Sequence, residues 1–204
     1  MSATRPYHHG NLRAALLEQA VRTVDERGVQ ALSLRGLARD VGVSHAAPRR
    51  HFPDRQALLD AIGEDGFERL GTALGQAVDR AGTAFGARLH ALARAYVAFS
   101  TDHPALVEVM FAGKQRAGAD RVREASDRAF AIPLTVIAQA QAHGELPPGD
   151  PGRVAIVAFA TLQGLAAMAN GGMIDEAPVQ EVVTDAIDQL LDGLRPRHPA
   201  TSPV

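Results

Sequence analysis

The chain has 204 residues, of which 46% are hydrophobic and 22% charged, values typical of a folded globular protein and not of a disordered one. It contains no cysteine, which excludes disulfides, a thiolate nucleophile and cysteine-based metal sites. The first residues lack the apolar run of a signal peptide, so we expect a cytoplasmic protein. The formal net charge of −2 hides an asymmetry, because residues 1–60 carry nine arginines and six acidic residues, whereas the rest carries twelve basic and seventeen acidic residues. A nucleic-acid partner would therefore be bound by the N-terminal part.

Apolar residues recur at helical spacing along nearly the whole chain, and alternating strand patterns are absent, which predicts an all-α fold of about nine helices. The predicted helices cover residues 11–27, 34–41, 44–51, 55–80, 84–101, 104–112, 119–143, 151–170 and 178–194. Ser33, Ser44 and Asp54 are suited to cap the second, third and fourth of them. Gly28 and Gly42 are suited to end the first and second.

Three features of the chain suggest how it is organised. Pro133 falls inside a helical pattern and is expected to kink or split that helix. Residues 154–169 form the most apolar stretch and are predicted to be a buried helix. We predict an N-terminal domain over residues 1–60, a second helical domain over 61–195, and a flexible Pro-rich tail over 196–204.

Residues 34–53 fit the template of a helix-turn-helix, in which two short helices meet at a tight turn. Gly42 lies where that turn requires a positive φ. On the third helix His45 and Arg49 are four residues apart and Arg50 is adjacent, so all three are predicted to share one exposed face. Arginine donates bidentately to guanine or to phosphate, so this face suits DNA. The alternative is an ordinary helical hairpin with solvated charges.

Several fragments together resemble the N-terminal domain of the TetR family of repressors, over about residues 7 to 65. They are Leu34-Arg35-Gly36-Leu37-Ala38, Gly42-Val43-Ser44, Arg50-His51-Phe52-Pro53-Asp54-Arg55 and Leu58-Leu59. The resemblance implies a homodimer that binds palindromic operator DNA and a repressor that a small-molecule ligand releases. It implies no cofactor and no membrane partner. The family usually has Tyr where this chain has Arg49.

The opening Tyr7–Arg13 segment resembles one branch of the family, whose C-terminal domain carries a Trp-x-x-x-His-Gly pattern. The best counterpart in this chain is Phe159–Gly164, in which Phe and Gln replace the signature Trp and His. The resemblance also extends the set of candidate DNA contacts to the start of the second helix and to residues before the first. The candidates are Ser33, Arg35, Ser44, His45, Ala46, Arg49, Arg50, His51, Tyr7 and His8. Tyr7 and His8 could equally belong to a disordered arm, and adjacent histidines without a third ligand predict no metal site.

The C-terminal half is predicted to dimerise and to bind the ligand. The last helix carries a continuous apolar stripe, and with the preceding helix it could form an intermolecular four-helix bundle, or instead an intramolecular core. The predicted dimer contacts are Leu162, Leu165, Val183, Ile187, Leu190 and Leu191. The candidate pocket residues, which could equally be plain core, are Tyr96, Phe99, Met110, Phe111, Phe130, Ile137, Gln163 and Met168.

An enzyme is the main alternative from another class. We find no nucleophile elbow, zinc-protease motif, phosphate loop or dinucleotide fingerprint, so we expect no catalytic residues. Ser100, Asp102 and His103 include the residue types of a catalytic triad, but they are chain neighbours and lack the required geometry. A helical protein-interaction module, or a ligand-binding protein without operator binding, is the closer alternative.

Overall fold

The computed structural model describes residues 12–174 and 176–194, with the side chains of residues 176–178 left outside the description. Within these ranges the chain is all-helical, as predicted, and contains no strand. Its α-helices are α1 (Leu12–Arg27), α2 (Leu34–Val41), α3 (Arg55–Arg80), α4 (Phe85–Asp102), α5 (Pro104–Gln115), α6 (Asp120–Ala142), α7 (Pro151–Asn170) and α8 (Glu176–Leu194). Two short 3-10 helices, Val29–Ala31 and Pro48–Arg50, precede α2 and α3.

The helices form two compact units that do not follow a single cut in the sequence. The first unit comprises the chain up to Phe67 together with His103–Ser126, and the second comprises Glu68–Asp102 together with the chain from Asp127 onward. The first unit therefore includes α5, which comes after a helix of the second unit. The functional division at residue 60 remains a prediction.

The core of the first unit contains large side chains from α1, α2, α3 and α5. Its fully buried members include Leu16, Val24, Leu37, Phe52, Leu58, Ile62, Phe67, Leu106 and Met110. Gly66 on α3 allows α5 to approach closely, because a β-carbon there would lie 2.6 Å from the Cγ atom of Met110. At that distance the Met110 side chain would have to move.

The second unit packs α4, α7 and α8 together. Its core includes Leu89, Leu92, Tyr96, Val97, Val136, Ile137, Leu162, Val183 and Ile187. Pro133 does not split α6, which continues from Asp120 to Ala142. A proline in mid-helix removes one backbone donor and crowds the preceding turn. The helix continues past Pro133 despite this energetic cost.

Residues 154–169 form a helix, as predicted, but the burial predicted for this helix is incomplete within the single chain. The helix exists as α7, but Ile156 and Val157 keep 61% and 54% of their surface exposed. By length and composition α7 is the one helix among the described residues that could cross a membrane. Only 11% of its apolar 18-residue stretch is buried. The other described helices thus leave several apolar side chains of α7 exposed.

Candidate DNA-binding site

Helix α2 begins and packs as its sequence dictates. Ser33 has an extended backbone (φ −147°, ψ 143°), and its hydroxyl accepts a hydrogen bond from the N–H of Gly36 at 3.1 Å. This bond satisfies one of the amides that have no partner inside the helix. Leu37 and Ala38 are buried in the core of the first unit. The predicted cap is confirmed.

The turn after α2 depends on Gly42, which adopts the left-handed conformation at φ 78° and ψ 32°. The N–H of Gly42 donates to the Arg39 carbonyl at 3.2 Å, and the N–H of Val43 donates to the Ala38 carbonyl at 2.8 Å. This pair of bonds is the Schellman arrangement, which turns the chain sharply and satisfies the last carbonyls of the helix. The positive φ predicted for Gly42 is confirmed.

The segment after the turn, His45–His51, is not the regular α-helix that we predicted. It is a series of turns that ends in the 3-10 helix Pro48–Arg50. The hydrogen bonds between its residues span three residues, and the Pro48 carbonyl also accepts from the N–H of Phe52, four residues on, at 2.9 Å. The N–H of Ala47 donates to the Ser44 carbonyl at 2.9 Å, and the N–H of Arg50 donates to the Ala47 carbonyl at 3.2 Å. We refer to residues 44–51 as the reading segment.

Pro48 explains why the reading segment lacks α-helical hydrogen bonds. Proline has no N–H to donate to the carbonyl four residues earlier, which here is that of Ser44, and its ring crowds the same carbonyl. That carbonyl instead accepts from Ala47. The expected cap by the Ser44 side chain is therefore wrong, because no α-helix begins there for it to cap.

Buried side chains and a following cap fix the end of the reading segment. Pro48 and Phe52 are buried, and the guanidinium of Arg13 lies 5.4 Å from the centre of the Phe52 ring. The carboxylate of Asp54 accepts from the N–H of Ala57 at 2.8 Å and caps α3, which is also confirmed. Arg55 donates to two carbonyls of the chain before α2, those of Val29 at 2.8 Å and of Leu32 at 3.2 Å. These contacts hold the start of α3 against the segment that leads into α2.

The predicted DNA contacts that the structure describes all lie on the surface of the first unit. The exposed residues are Ser33, Arg35, Ser44, His45, Ala46, Arg49, Arg50 and His51. Tyr7 and His8 lie outside the described residues. The exposed cations of the reading segment therefore stand on a backbone that is fixed by buried neighbours.

Sequence reasoning missed a basic cleft beside α2. The cleft has a volume of about 350 Å³ and is open to solvent on one side. It is lined by Thr23, Arg27, Ala31, Ser33, Arg35, Gly36, Leu37, Arg39, Asp40 and His45. Hydrogen bonds from Arg39, and then from Arg27, hold the pKa of Asp40 below its ordinary value, so this carboxylate is ionised at neutral pH. Residues from α1 and α2 meet here through contacts that local spacing does not reveal.

The eight candidate pocket residues are divided between the two units. Met110 and Phe111 belong to the first unit, where the Phe111 ring packs edge-to-face on Phe67 at 5.5 Å. The others belong to the second unit; they are Tyr96, Phe99, Phe130, Ile137, Gln163 and Met168. The ligand pocket predicted from these residues therefore stays a prediction.

Three of these second-unit residues do form a cluster with Phe159. The Tyr96 hydroxyl donates to the Oε1 atom of Gln163 at 2.6 Å. The Phe159 ring lies edge-to-face on Tyr96 at 5.4 Å and on Phe130 at 5.1 Å. Burial raises the pKa of Tyr96 to about 12, and the neighbouring hydroxyl of Ser100 opposes this rise. Phe159 and Gln163, the counterparts of the branch's Trp and His, thus face the same tyrosine.

The predicted dimer residues divide into two groups. Leu162, Val183 and Ile187 are buried in the second unit, so they have almost no surface left for a partner. Leu165, Leu190 and Leu191 are partly exposed. Three other residues of α7, Ile156, Val157 and Met168, expose large apolar side chains. Part of the apolar stripe of α8 is thus buried in its own unit, and the choice between an intermolecular bundle and an intramolecular core stays a prediction.

Both parts of the chain match models of one protein family. Residues 16–62 match the family described as bacterial regulatory proteins, tetR family, and residues 89–194 match the C-terminal domain described as Tetracyclin repressor-like. The chain belongs to the TetR family of regulatory proteins. The resemblance inferred from the motifs between Leu34 and Leu59 is confirmed.

Solved structures agree with this assignment. A protein of unknown function from a Rhodococcus species is 50% identical, with a TM-score of 0.88, and the match covers 95% of this chain and 100% of the other. The TetR family transcriptional regulator PfmR from Thermus thermophilus is 19% identical, with a TM-score of 0.67 and coverage of 89% and 99%. A bacterial regulatory protein in the tetR family, also from Rhodococcus, is 17% identical, with a TM-score of 0.68 and coverage of 91% and 98%. At such identities the last two support the fold alone. The comparison with curated proteins gave no match.

Proposed function

We propose that this protein is a DNA-binding transcriptional regulator that uses the reading segment to contact the bases of a palindromic operator. The observation that carries the proposal is the exposure of His45, Arg49 and Arg50 on a segment anchored by buried Pro48 and Phe52. Long side chains on a fixed backbone lose less freedom on binding than side chains on a mobile loop. Arginine pairs with the O6 and N7 atoms of guanine or with phosphate, so Arg49 takes the DNA contact that Tyr makes in other members.

The test is an operator-binding measurement with the full chain. The operator is first obtained by selecting binding sequences from a random duplex library. The variant Arg49→Ala/Arg50→Ala should then lose roughly 100-fold or more in affinity by fluorescence anisotropy, since a good base contact contributes about 1–3 kcal/mol. The matched control is Arg80→Ala/Arg121→Ala, which removes two exposed arginines outside the reading segment. Equal losses in both variants would assign the effect to net charge and contradict the proposal.

We propose further that the regulator is a homodimer whose subunits meet through α7 and α8. The support is the exposed apolar surface of α7, where Ile156, Val157, Ala160, Gly164 and Met168 are exposed. Ile156, Ala160, Gly164 and Met168 recur every four residues, with Val157 beside Ile156, and therefore share one side of the helix. An exposed apolar helix face of this kind marks a protein interface. Two-fold pairing would place two reading segments at half-sites one DNA turn apart.

The third part of the proposal is that a small molecule bound by the second unit releases the operator, so that the protein acts as a cytoplasmic repressor. The support is the cluster of Tyr96, Phe130, Phe159 and Gln163, which combines aromatic faces with polar groups. Compounds that raise the melting temperature of the protein identify candidate effectors. Such a compound should also lower operator affinity. If compounds bind but leave operator affinity unchanged, the coupling is absent and this part of the proposal fails.

A further inference from the structure

The basic cleft beside α2 contains a chain of hydrogen bonds that holds two arginines side by side. Arg39 donates from Nε and Nη2 to Oδ1 of Asp40, at 3.1 and 3.0 Å. Arg27 of α1 donates from Nη2 to the other oxygen of the same carboxylate at 3.3 Å. The same Nη2 atom also lies 3.3 Å from the hydroxyl of Thr23, which is buried and bonded to the backbone. Asp40 therefore links the ends of α1 and α2 through the guanidinium of Arg27, and it also binds the guanidinium of its neighbour Arg39 on α2.

The cleft keeps an excess of positive charge after this pairing. Its lining includes three arginines, Arg27, Arg35 and Arg39, but a single carboxylate, that of Asp40. His45 of the reading segment also lines the cleft. A guanidinium has five N–H donors in a planar fork, so Arg39 still has the Nη1 donors after bonding to Asp40. Planar forks that are held in place and keep spare donors match the oxygens of a phosphate group.

We propose that this cleft binds a phosphate group of the DNA backbone, with Arg27, Arg35 and Arg39 as the contacts and Asp40 as the residue that positions Arg27 and Arg39. The inference rests on the proposed DNA-binding function and deepens it, because it adds a sequence-independent contact to the base contacts of the reading segment. The cleft includes His45, so the phosphate would lie next to the bases that this segment contacts.

The first experiment measures how operator affinity depends on salt for Arg39→Gln and Arg27→Gln in the full chain. Each variant should weaken binding by about tenfold, by the same factor for operator and for random duplex, and should lower the slope of log affinity against log salt by about one. The control is Arg22→Gln, an exposed arginine on α1 that pairs with Glu18 and does not line the cleft. A salt slope for Arg39→Gln equal to that of the control would overturn the proposal.

The second experiment separates positioning from charge at Asp40. Asp40→Asn removes a negative charge near DNA, so charge alone would strengthen binding and steepen the salt slope. If Asp40 positions the arginines, the variant should instead weaken binding severalfold and lower the salt slope. The double variant Arg39→Gln/Asp40→Asn should lose much less than the sum of the two single losses. Tighter binding by Asp40→Asn, or additive losses, would overturn the positioning role.

A third measurement identifies the source of the phosphate. Inorganic phosphate is titrated into the wild-type complex while chloride is adjusted to hold the ionic strength constant. Weak competition supports the duplex as the source, because free phosphate has none of the other contacts of the complex. Strong competition that disappears in Arg39→Gln would assign the cleft to a free anion and overturn its assignment to DNA. A wild-type protein that binds no duplex would contradict the proposed function itself, whereas normal binding with an unchanged slope contradicts the cleft alone.

Discussion

The reading segment of the first unit and helix α7 of the second both have exposed side chains among the described residues. Those of the reading segment are polar or charged, whereas those of α7 are apolar. The reading segment exposes His45, Arg49 and Arg50, whereas α7 exposes Ile156 and Val157. Exposed cations are readily solvated and gain most from a partner that carries fixed negative charge. Exposed branched aliphatic side chains gain most from an apolar partner that removes them from water. The two surfaces therefore point to two different partners, duplex DNA and a second copy of the chain.

The same difference shows in how each surface is supported. The reading segment has little regular structure of its own and depends on the buried Pro48 and Phe52 beneath it. Helix α7 satisfies its backbone by itself over Pro151–Asn170 and lacks only cover for its side chains. A change in the packing below the reading segment should therefore alter DNA binding, whereas on α7 a change at the surface should alter assembly.

The largest effect that tests this comparison is expected from Val157→Asp. If α7 is the dimer interface, a charge placed there is buried without a partner in both subunits, which should raise the dimer dissociation constant by about 100-fold or more. The chain itself should remain folded, because Val157 is 54% exposed. Sedimentation velocity over a range of concentrations measures the shift.

The control for Val157→Asp is Ala138→Asp, which adds the same charge at an exposed position of α6. It should leave the oligomeric state unchanged. Identical sedimentation of the two variants would show that the exposed side of α7 does not hold the dimer together. The apolar surface of α7 would then not be a dimer interface.

A second prediction concerns the interior of the second unit and applies only at alkaline pH. The folded pKa of Tyr96 is raised to about 12, from an ordinary value of 10.0. Between these values the unfolded chain releases the tyrosine proton and the folded chain does not, so the free energy of unfolding falls as pH rises. The loss should approach about 2–3 kcal/mol by pH 12. This fall depends on a side chain that is only 3% exposed.

Tyr96→Phe removes that titration and tests the assignment. At pH 8 the variant should be about 1 kcal/mol less stable than wild type, because it lacks the hydrogen bond to Gln163. Near pH 12 the order should reverse. Urea unfolding of both proteins across this range measures the difference, and a gap that stays constant with pH would count against the buried, un-ionised tyrosine.

The smallest expected effect is that of Gly42→Ala in the turn before the reading segment. An L side chain at φ 78° costs about 1–2 kcal/mol, although no atom lies within 4 Å of the added β-carbon. The control is Gly75→Ala inside α3, where the new β-carbon would meet only Ile132 at 3.9 Å. That change should stabilise the chain by about 0.5–1 kcal/mol. Chemical unfolding that gives the two variants the same sign would contradict the role of the turn.

Features that depend on a few neighbouring residues could be predicted from the sequence. The cap at Ser33, the turn at Gly42 and the cap at Asp54 each need one residue type at one position, and the structure confirms all three. The reading segment was harder, because the cost of Pro48 at its position depends on whether tertiary contacts allow a tighter winding. Here burial of Pro48 and Phe52 holds the chain in the 3-10 form.

Features that join distant residues could not be predicted in the same way. Arg27 and Asp40 are thirteen residues apart and lie on different helices, so neither spacing nor charge pattern pairs them. Hydrophobicity likewise identified α7 and α8 as apolar but not which of their faces the chain itself would cover. Val183 and Ile187 were therefore assigned to an interface, although they are fully buried in their own unit.

The winding of the reading segment also bears on efforts to exchange operator specificity between members of the family. Its hydrogen bonds span three residues, from Ser44 to Ala47, from Ala47 to Arg50 and from Pro48 to His51. In Pro48–Arg50 three residues make one turn, so the side chains of this stretch are spaced differently around the axis from those of an α-helix. Residues transplanted position by position from a relative with a regular helix would reach different base pairs. Specificity grafting in this protein would have to move the whole of Ser44–Phe52 together with the proline that sets its winding.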